Sequence, residues 1–156
     1  SEKVLKEDGA YIAKVREVAA REGSRVAVIC GDLEMEIAKL DKNERQDFLK
    51  DLGLKESGLQ QLIREGYALL DLITFYTTVG PELRAWTVPR GTKAPQAAGK
   101  IHTDIERGFI RAEVLRYEDF VRAGGIAPAK EKGLLHFQGK DYAIADGDIV
   151  YFRFNV

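Results

Sequence analysis

The feature that most constrains this chain is a change of texture near residue 71. Before it, apolar residues recur at helical spacing. After it, short β-branched and aromatic runs alternate with Gly and Pro turns. The reading is an α+β chain with a boundary there, residues 1–71 and 72–156, set against one α+β domain with its helices first. The 156 residues accommodate one ordinary domain or two very small ones. Charge divides at the same place: residues 1–71 hold 12 Lys and Arg against 15 Asp and Glu, and residues 72–156 hold 12 against 10. The formal net charge of −1 therefore averages an acidic and a basic half, and it excludes a strongly basic nucleic-acid binder only at the level of the whole chain.

In the first half, Ile12, Val15, Val18 and Ala19 pattern a helix over 10–22, closed by Gly23. RVAVIC, 25–30, is a continuous apolar run that suits a strand buried on both faces. Helix, Gly turn and strand read as one αβ unit of a parallel sheet, whose lone strand has no partner in this half. Leu33, Ile37 and Leu40 line the next helix. Asp41 with Glu44, and Ser57 with Gln60, have the spacing of capping boxes. They open helices that carry Phe48, Leu49 and Leu52, then Leu59, Leu62, Ile63, Tyr67 and Leu70. These apolar stripes are expected to be core.

In the second half, residues 72–78 and 83–88 flank Gly80-Pro81, a hairpin signal. Residues 94–104 are Ala-rich with Pro95 in the first turn, a helix small enough to lie close on a sheet. Residues 109–117 alternate, placing Ile110, Ala112 and Val114 on one face and Phe109, Arg111 and Glu113 on the other. Asp146-Gly147 marks a tight turn before a last strand at 149–155. Hairpin, helix and further strands form the β-grasp order; a ferredoxin-like split fits the same string less well.

Little in the chain offers covalent or metal chemistry. Cys30 is the only cysteine, which excludes an intrachain disulfide and a four-cysteine zinc site. It closes an apolar run and reads as a small buried hydrophobe rather than a nucleophile. His102 and His136 have no third ligand at metal spacing, and the phosphate-binding pattern G-x-x-x-x-G-K-[ST] is absent. No catalytic residue and no metal ligand is assigned. No apolar run approaches the roughly 20 residues of a bilayer span, and the charged N-terminus is no signal peptide, so no membrane role and a cytoplasmic location are expected. The stretch 84–116 holds 7 basic against 3 acidic residues. Its Arg84, Arg90, Lys93, Lys100, Arg107 and Arg111, with Trp86, His102 and Phe109 among them, suit RNA phosphates and stacked bases. The competing reading is a core Trp86 and a solvated face of charges with local acid partners.

RAWTVPRGTKAPQAAGKIHTDIERGFIRAEVLRYEDF (84–120), KDYAIADGDIVYFRFNV (140–156) and ERQDFLKDLGL resemble the Obg-like ATPase family, often called YchF. The resemblance covers nearly the whole chain. It implies that 72–156 is a TGS domain, a ubiquitin-like β-grasp module, preceded in 1–71 by a helical connection and the last αβ unit of a P-loop NTPase domain. It further implies a ribosome-associated, monomeric protein that uses ATP, with GTP second, and Mg²⁺. The ribosome, its large subunit first, or RNA is the expected partner of the TGS domain. Glu2 is similar to the Glu of the family's base-reading N-x-x-E motif. Cys30, Gly31 and Asp32 stand where relatives place backbone N–H groups near the purine, with Cys30 where many have Ser. The P-loop and both switch regions have no counterpart in these 156 residues, so no nucleotide or Mg²⁺ is expected to bind this piece alone, and no turnover is expected from it. The rival reading is a stand-alone β-grasp adaptor without NTPase activity.

Overall fold

The computed structural model describes residues 9–79 and 82–155. The chain divides into two compact units, Ser1–Leu70 and Asp71–Val156.

The first unit is helical. Helix α1 (Ala10–Arg21) ends at Gly23, whose φ of 68° lets Ser24 N–H reach back to the Ala19 carbonyl at 2.8 Å. A side chain at that position would strain the reversal, which is why glycine ends the helix. Helix α2 (Gly31–Lys39) follows. Helix α3 (Lys42–Asp51) opens on Asp41, which accepts from the N–H groups of Asn43 and Glu44, while Glu44 accepts from Asp41 N–H. Helix α4 (Gly58–Leu69) opens on Ser57 and Gln60 in the same reciprocal way. The Glu34 carboxylate of α2 ties these helices together by accepting from Gly58 N–H at 2.6 Å and Leu59 N–H at 3.3 Å.

Two expectations for this unit fail. Residues 25–30 form no strand: the run has no ladder neighbour among the described residues, only Cys30 at the helix cap has extended dihedrals to show, and Ile29 is exposed. A strand is stabilised by a partner's N–H and C=O groups, and this unit supplies none among its described residues. The apolar stripes are core only in part. Ala19, Leu33 and Ile37 are buried, but Val15, Val18, Leu59, Leu62, Ile63 and Leu70 are exposed, because no second layer covers those helix faces.

The second unit is a five-stranded mixed sheet in the order β2-β1-β5-β3-β4. Strands β1 (Leu72–Val79) and β2 (Glu82–Pro89) form the antiparallel hairpin, with Phe75 opposite Trp86. Helices α5 (Ala94–Gly99) and α6 (Thr103–Arg107) lead to β3 (Phe109–Leu115). Helices α7 (Tyr117–Ala123) and α8 (Ile126–Glu131) precede β4 (His136–Gln138) and β5 (Ile149–Phe154). Strand β5 runs antiparallel to β3 and parallel to β1, between them. The Asp146-Gly147 turn docks it: Asp146 Oδ1 accepts from Thr74 N–H and Gly147 N–H donates to the Thr74 carbonyl, both at 2.8 Å.

The main core lies between one sheet face and α5. Ala94, Ala97 and Ala98 bring that helix close to Ile73, Phe75, Val88, Ala112, Val114, Val150 and Phe152. Phe75 and Phe152 meet edge to face with centroids 6.0 Å apart. The alternation expected in β3 is shifted. A register irregularity between Phe109 and Arg111 sends Phe109 into the core and Ile110 to solvent. Such a bulge adds one residue against the partner strand and reverses the faces on one side of it. A second cluster caps part of the opposite face, where Phe120, Ala129 and Ile126 of α7 and α8 pack on Tyr76, Leu115 and Ile149.

Candidate functional site

The six basic residues singled out in the sequence are distributed over β2, the segment before α5, the two short helices and β3. Arg84, on β2, pairs with Glu82 at 3.3 Å; Arg90 Nε reaches Asp71 at 2.9 Å; Lys93 Nζ reaches Asp141 at 2.9 Å. Lys100 caps the C-terminus of α5 and Arg107 lies in the last turn of α6, both exposed. Arg111 stands on β3, on the sheet face away from α5. The acidic neighbours cancel part of the charge counted along the sequence.

Trp86 plays two parts. Its indole packs against the core and donates Nε1–H to Thr77 Oγ1 at 2.9 Å. It also lines a cleft of about 370 Å³ with Arg84, Ile101, Ile105, Phe152 and Phe154. His102 caps α6, its Nδ1 accepting from Asp104 N–H at 3.2 Å. Among the described residues no three His, Cys, Asp or Glu side chains are placed to hold a metal.

The open sheet face carries a more ordered arrangement. Phe137 of β4 and Tyr151 of β5 both pair with Glu113 of β3, so the three stand in one cross-strand row. Arg111 and Arg153 pair in the next row. Arg153 Nε donates to Glu113 Oε1 at 2.8 Å, and Arg111 approaches the same oxygen at 3.5 Å. Each guanidinium also lies over a ring, Arg111 4.7 Å from the Phe137 centroid and Arg153 4.5 Å from that of Tyr151. The hydrogen bond from Arg153 holds the Glu113 carboxyl below its ordinary value; partial burial opposes this, and the charges of both arginines reinforce it. Both rings remain exposed. Tyr151, Arg153 and Phe137 lie outside the basic stretch that the charge pattern singles out. The signal was the alternation of Tyr151 and Arg153 on the outer face of a strand whose Val150 and Phe152 point inward.

In the first unit, Cys30 is half-buried and stands at the N-cap of α2, with Gly31 and Asp32 in the first turn. Its side chain caps none of the N–H groups there, so that turn presents backbone donors without a side-chain acceptor from the cap. Glu2 lies outside the described residues.

The family YchF-GTPase_C, described as "Protein of unknown function (DUF933)", matches residues 72–155. The chain is 53% identical over 150 residues to the Ribosome-binding ATPase YchF of Haemophilus influenzae, covering 96% of this chain and 41% of that protein. It is 53% identical over 145 residues to the protein of the same name from Bacillus subtilis, covering 93% and 40%. Obg-like ATPase 1 of Gallus gallus is 42% identical over 153 residues, covering 97% and 38%. The Schizosaccharomyces pombe YchF GTPase structure superposes with a TM-score of 0.81 at 31% identity, covering 98% of this chain and 41% of that one. The chain thus spans about two fifths of the length of the relatives it matches. A five-stranded α+β unit, helices opened by paired capping boxes, and this extent of identity lead to one conclusion: the chain belongs to the YchF family of Obg-like ATPases and corresponds to the C-terminal part of its members.

Proposed function

We propose that this chain is the C-terminal part of a ribosome-associated, cytoplasmic ATPase, with residues 72–156 a TGS domain of β-grasp form that contacts the ribosome or its RNA. The observation that carries the reading is the 53% identity over 150 residues to a protein named a ribosome-binding ATPase. The sheet order β2-β1-β5-β3-β4, with β1 parallel to β5 and α5 across one face, is compatible with a β-grasp and supports the TGS assignment.

Residues 1–71 are the edge of the nucleotide-binding domain with its connecting helices. In the longer protein Glu2 and the N–H groups at Cys30, Gly31 and Asp32 would face the purine of ATP or GTP. The chain offers this edge of a base site and no P-loop for phosphates. Among the described residues no three His, Cys, Asp or Glu side chains are grouped to hold a metal. Hydrolysis is assigned to the longer protein, where nucleotide binding would act on the arrangement of its domains.

Co-sedimentation with ribosomes tests the reading. The 156-residue chain should pellet with ribosomes at low salt and be released as salt rises, as phosphate-dominated contacts require. Absence from the pellet at low salt overturns it.

A further inference from the structure

We infer that the open sheet face of the second unit is a stacking platform for single-stranded RNA, built on Tyr151, Phe137, Arg153 and Arg111. The inference rests on the ribosome or RNA reading above and joins Arg111 of the basic stretch to three residues outside it, Phe137, Tyr151 and Arg153.

A sheet face in water ordinarily carries polar side chains or is covered by another layer. Here α7 and α8 cover only the end that holds Tyr76, Leu115 and Ile149. Beyond that cover two aromatic rings stand exposed, Phe137 at 65% and Tyr151 at 48%. They occupy one cross-strand row with a single strand between them. Two inter-strand spacings separate them by about 10 Å, a gap that neighbouring bases of a splayed single strand can bridge.

The rings are already held for stacking. Glu113 anchors both guanidinium groups, and each of these lies over a ring at 4.5 to 4.7 Å. The carboxylate neutralises one arginine charge and leaves a net positive face for phosphates. A guanidinium plane packed on a ring offers a flat, cationic surface, and bases stack on rings and guanidinium planes alike. A protein partner would call for a contiguous apolar patch. These rings are instead set apart by charged side chains, which favours nucleic acid. Base stacking needs unpaired bases, so the ligand class is single-stranded RNA rather than duplex.

The test is anisotropy titration of a fluorescein-labelled, mixed-sequence RNA of about 10 nucleotides with the 156-residue chain. The Tyr151→Ala/Phe137→Ala variant should bind more weakly by about 30-fold or more, with unchanged circular dichroism because both rings are exposed. Tyr151→Phe, which keeps the ring, should bind within about twofold of the parent, and each single alanine variant should fall between. Parent-like affinity in the double variant overturns the inference, as does equal competition by duplex RNA or polyglutamate, which would mark a response to charge alone. Ribosome co-sedimentation of the same proteins separates the two readings. If the parent pellets with ribosomes but shows no ring-dependent RNA binding, the platform falls and the ribosome reading stands. If ring-dependent RNA binding occurs without pelleting, the ribosome reading falls and the platform stands.

Discussion

Glu113 and Arg153, on neighbouring strands and forty residues apart in sequence, are held together by an Nε–H donated to Oε1 at 2.8 Å on an otherwise open sheet face. Glu113 is buried in spite of that openness, because Arg153, Arg111, Phe137 and Tyr151 surround it. Its carboxyl titrates below its ordinary value of 4.5, so the folded state favours the ionised form. This stabilisation is complete above pH 4.5 and is lost as the pH falls through the lowered folded value. Urea midpoints measured downward from neutral pH should therefore decline more steeply for the parent chain than for Glu113→Gln. At neutral pH the variant should be less stable by about 1.5–3 kcal/mol, the worth of hydrogen bonds to a charged group.

Tyr142 donates its hydroxyl to buried Asp148 Oδ2 at 2.7 Å, and that oxygen also accepts from Ala145 N–H at 2.9 Å. Burial first, then the Asp148 hydrogen bond and charge, push the phenol up to about 12 from 10.0. The folded state favours the neutral phenol, so its contribution is whole below pH 10 and fades as the pH rises toward 12. Tyr142→Phe should lower stability at pH 8 by about 1–3 kcal/mol. The parent should also lose stability between pH 10 and 12 more steeply than the variant. Chemical denaturation at the two ends of that range checks both.

Gly108 admits no side chain. A Cβ there would lie 1.9 Å from the Asn155 carbonyl oxygen, and Asn155 N–H donates back to the Gly108 carbonyl at 2.9 Å. Gly108→Ala should force β3 and the end of β5 apart and lower stability by about 2–3 kcal/mol. The thermal midpoint reports it; an unchanged midpoint would show that the strand ends yield freely.

Glu34 satisfies two N–H groups at the start of α4 that have no partner within that helix. Glu34→Ala should cost about 1–3 kcal/mol and loosen α4. Faster amide exchange at Gly58 and Leu59 is the expected signature, with the sheet of the second unit unaffected.

Lys93, Lys100 and Arg107 are the exposed cations around α5 and α6. Reversing all three to Glu should reduce ribosome co-sedimentation at low salt by about tenfold if they touch phosphates. Unchanged pelleting would leave the contact to the open sheet face.

What the sequence determined by itself was local. The Asp41/Glu44 and Ser57/Gln60 boxes, the glycine that ends α1, the antiparallel pairing of neighbouring β1 and β2 (the Gly80-Pro81 signal itself lies outside the described residues) and the Asp146-Gly147 turn depend on residues within a few positions of one another. Their chemistry was legible for that reason. Helices α7 and α8 escaped because short, mixed segments carry little periodicity; packing on Leu115 and Ile149 holds them. Periodicity showed the stripes of α1 and α4 but not whether anything covers them. The apolar run 25–30 reads as a strand by composition and is none here, because pairing is supplied by another segment of backbone. Tertiary structure alone decided the two arrangements that matter most for function. The irregularity at Phe109–Arg111 chose which β3 side chains face the core, and the register of β3, β4 and β5 set Phe137, Glu113 and Tyr151 in one row. Both are long-range choices of strand pairing, and no spacing along one strand encodes its partner's register.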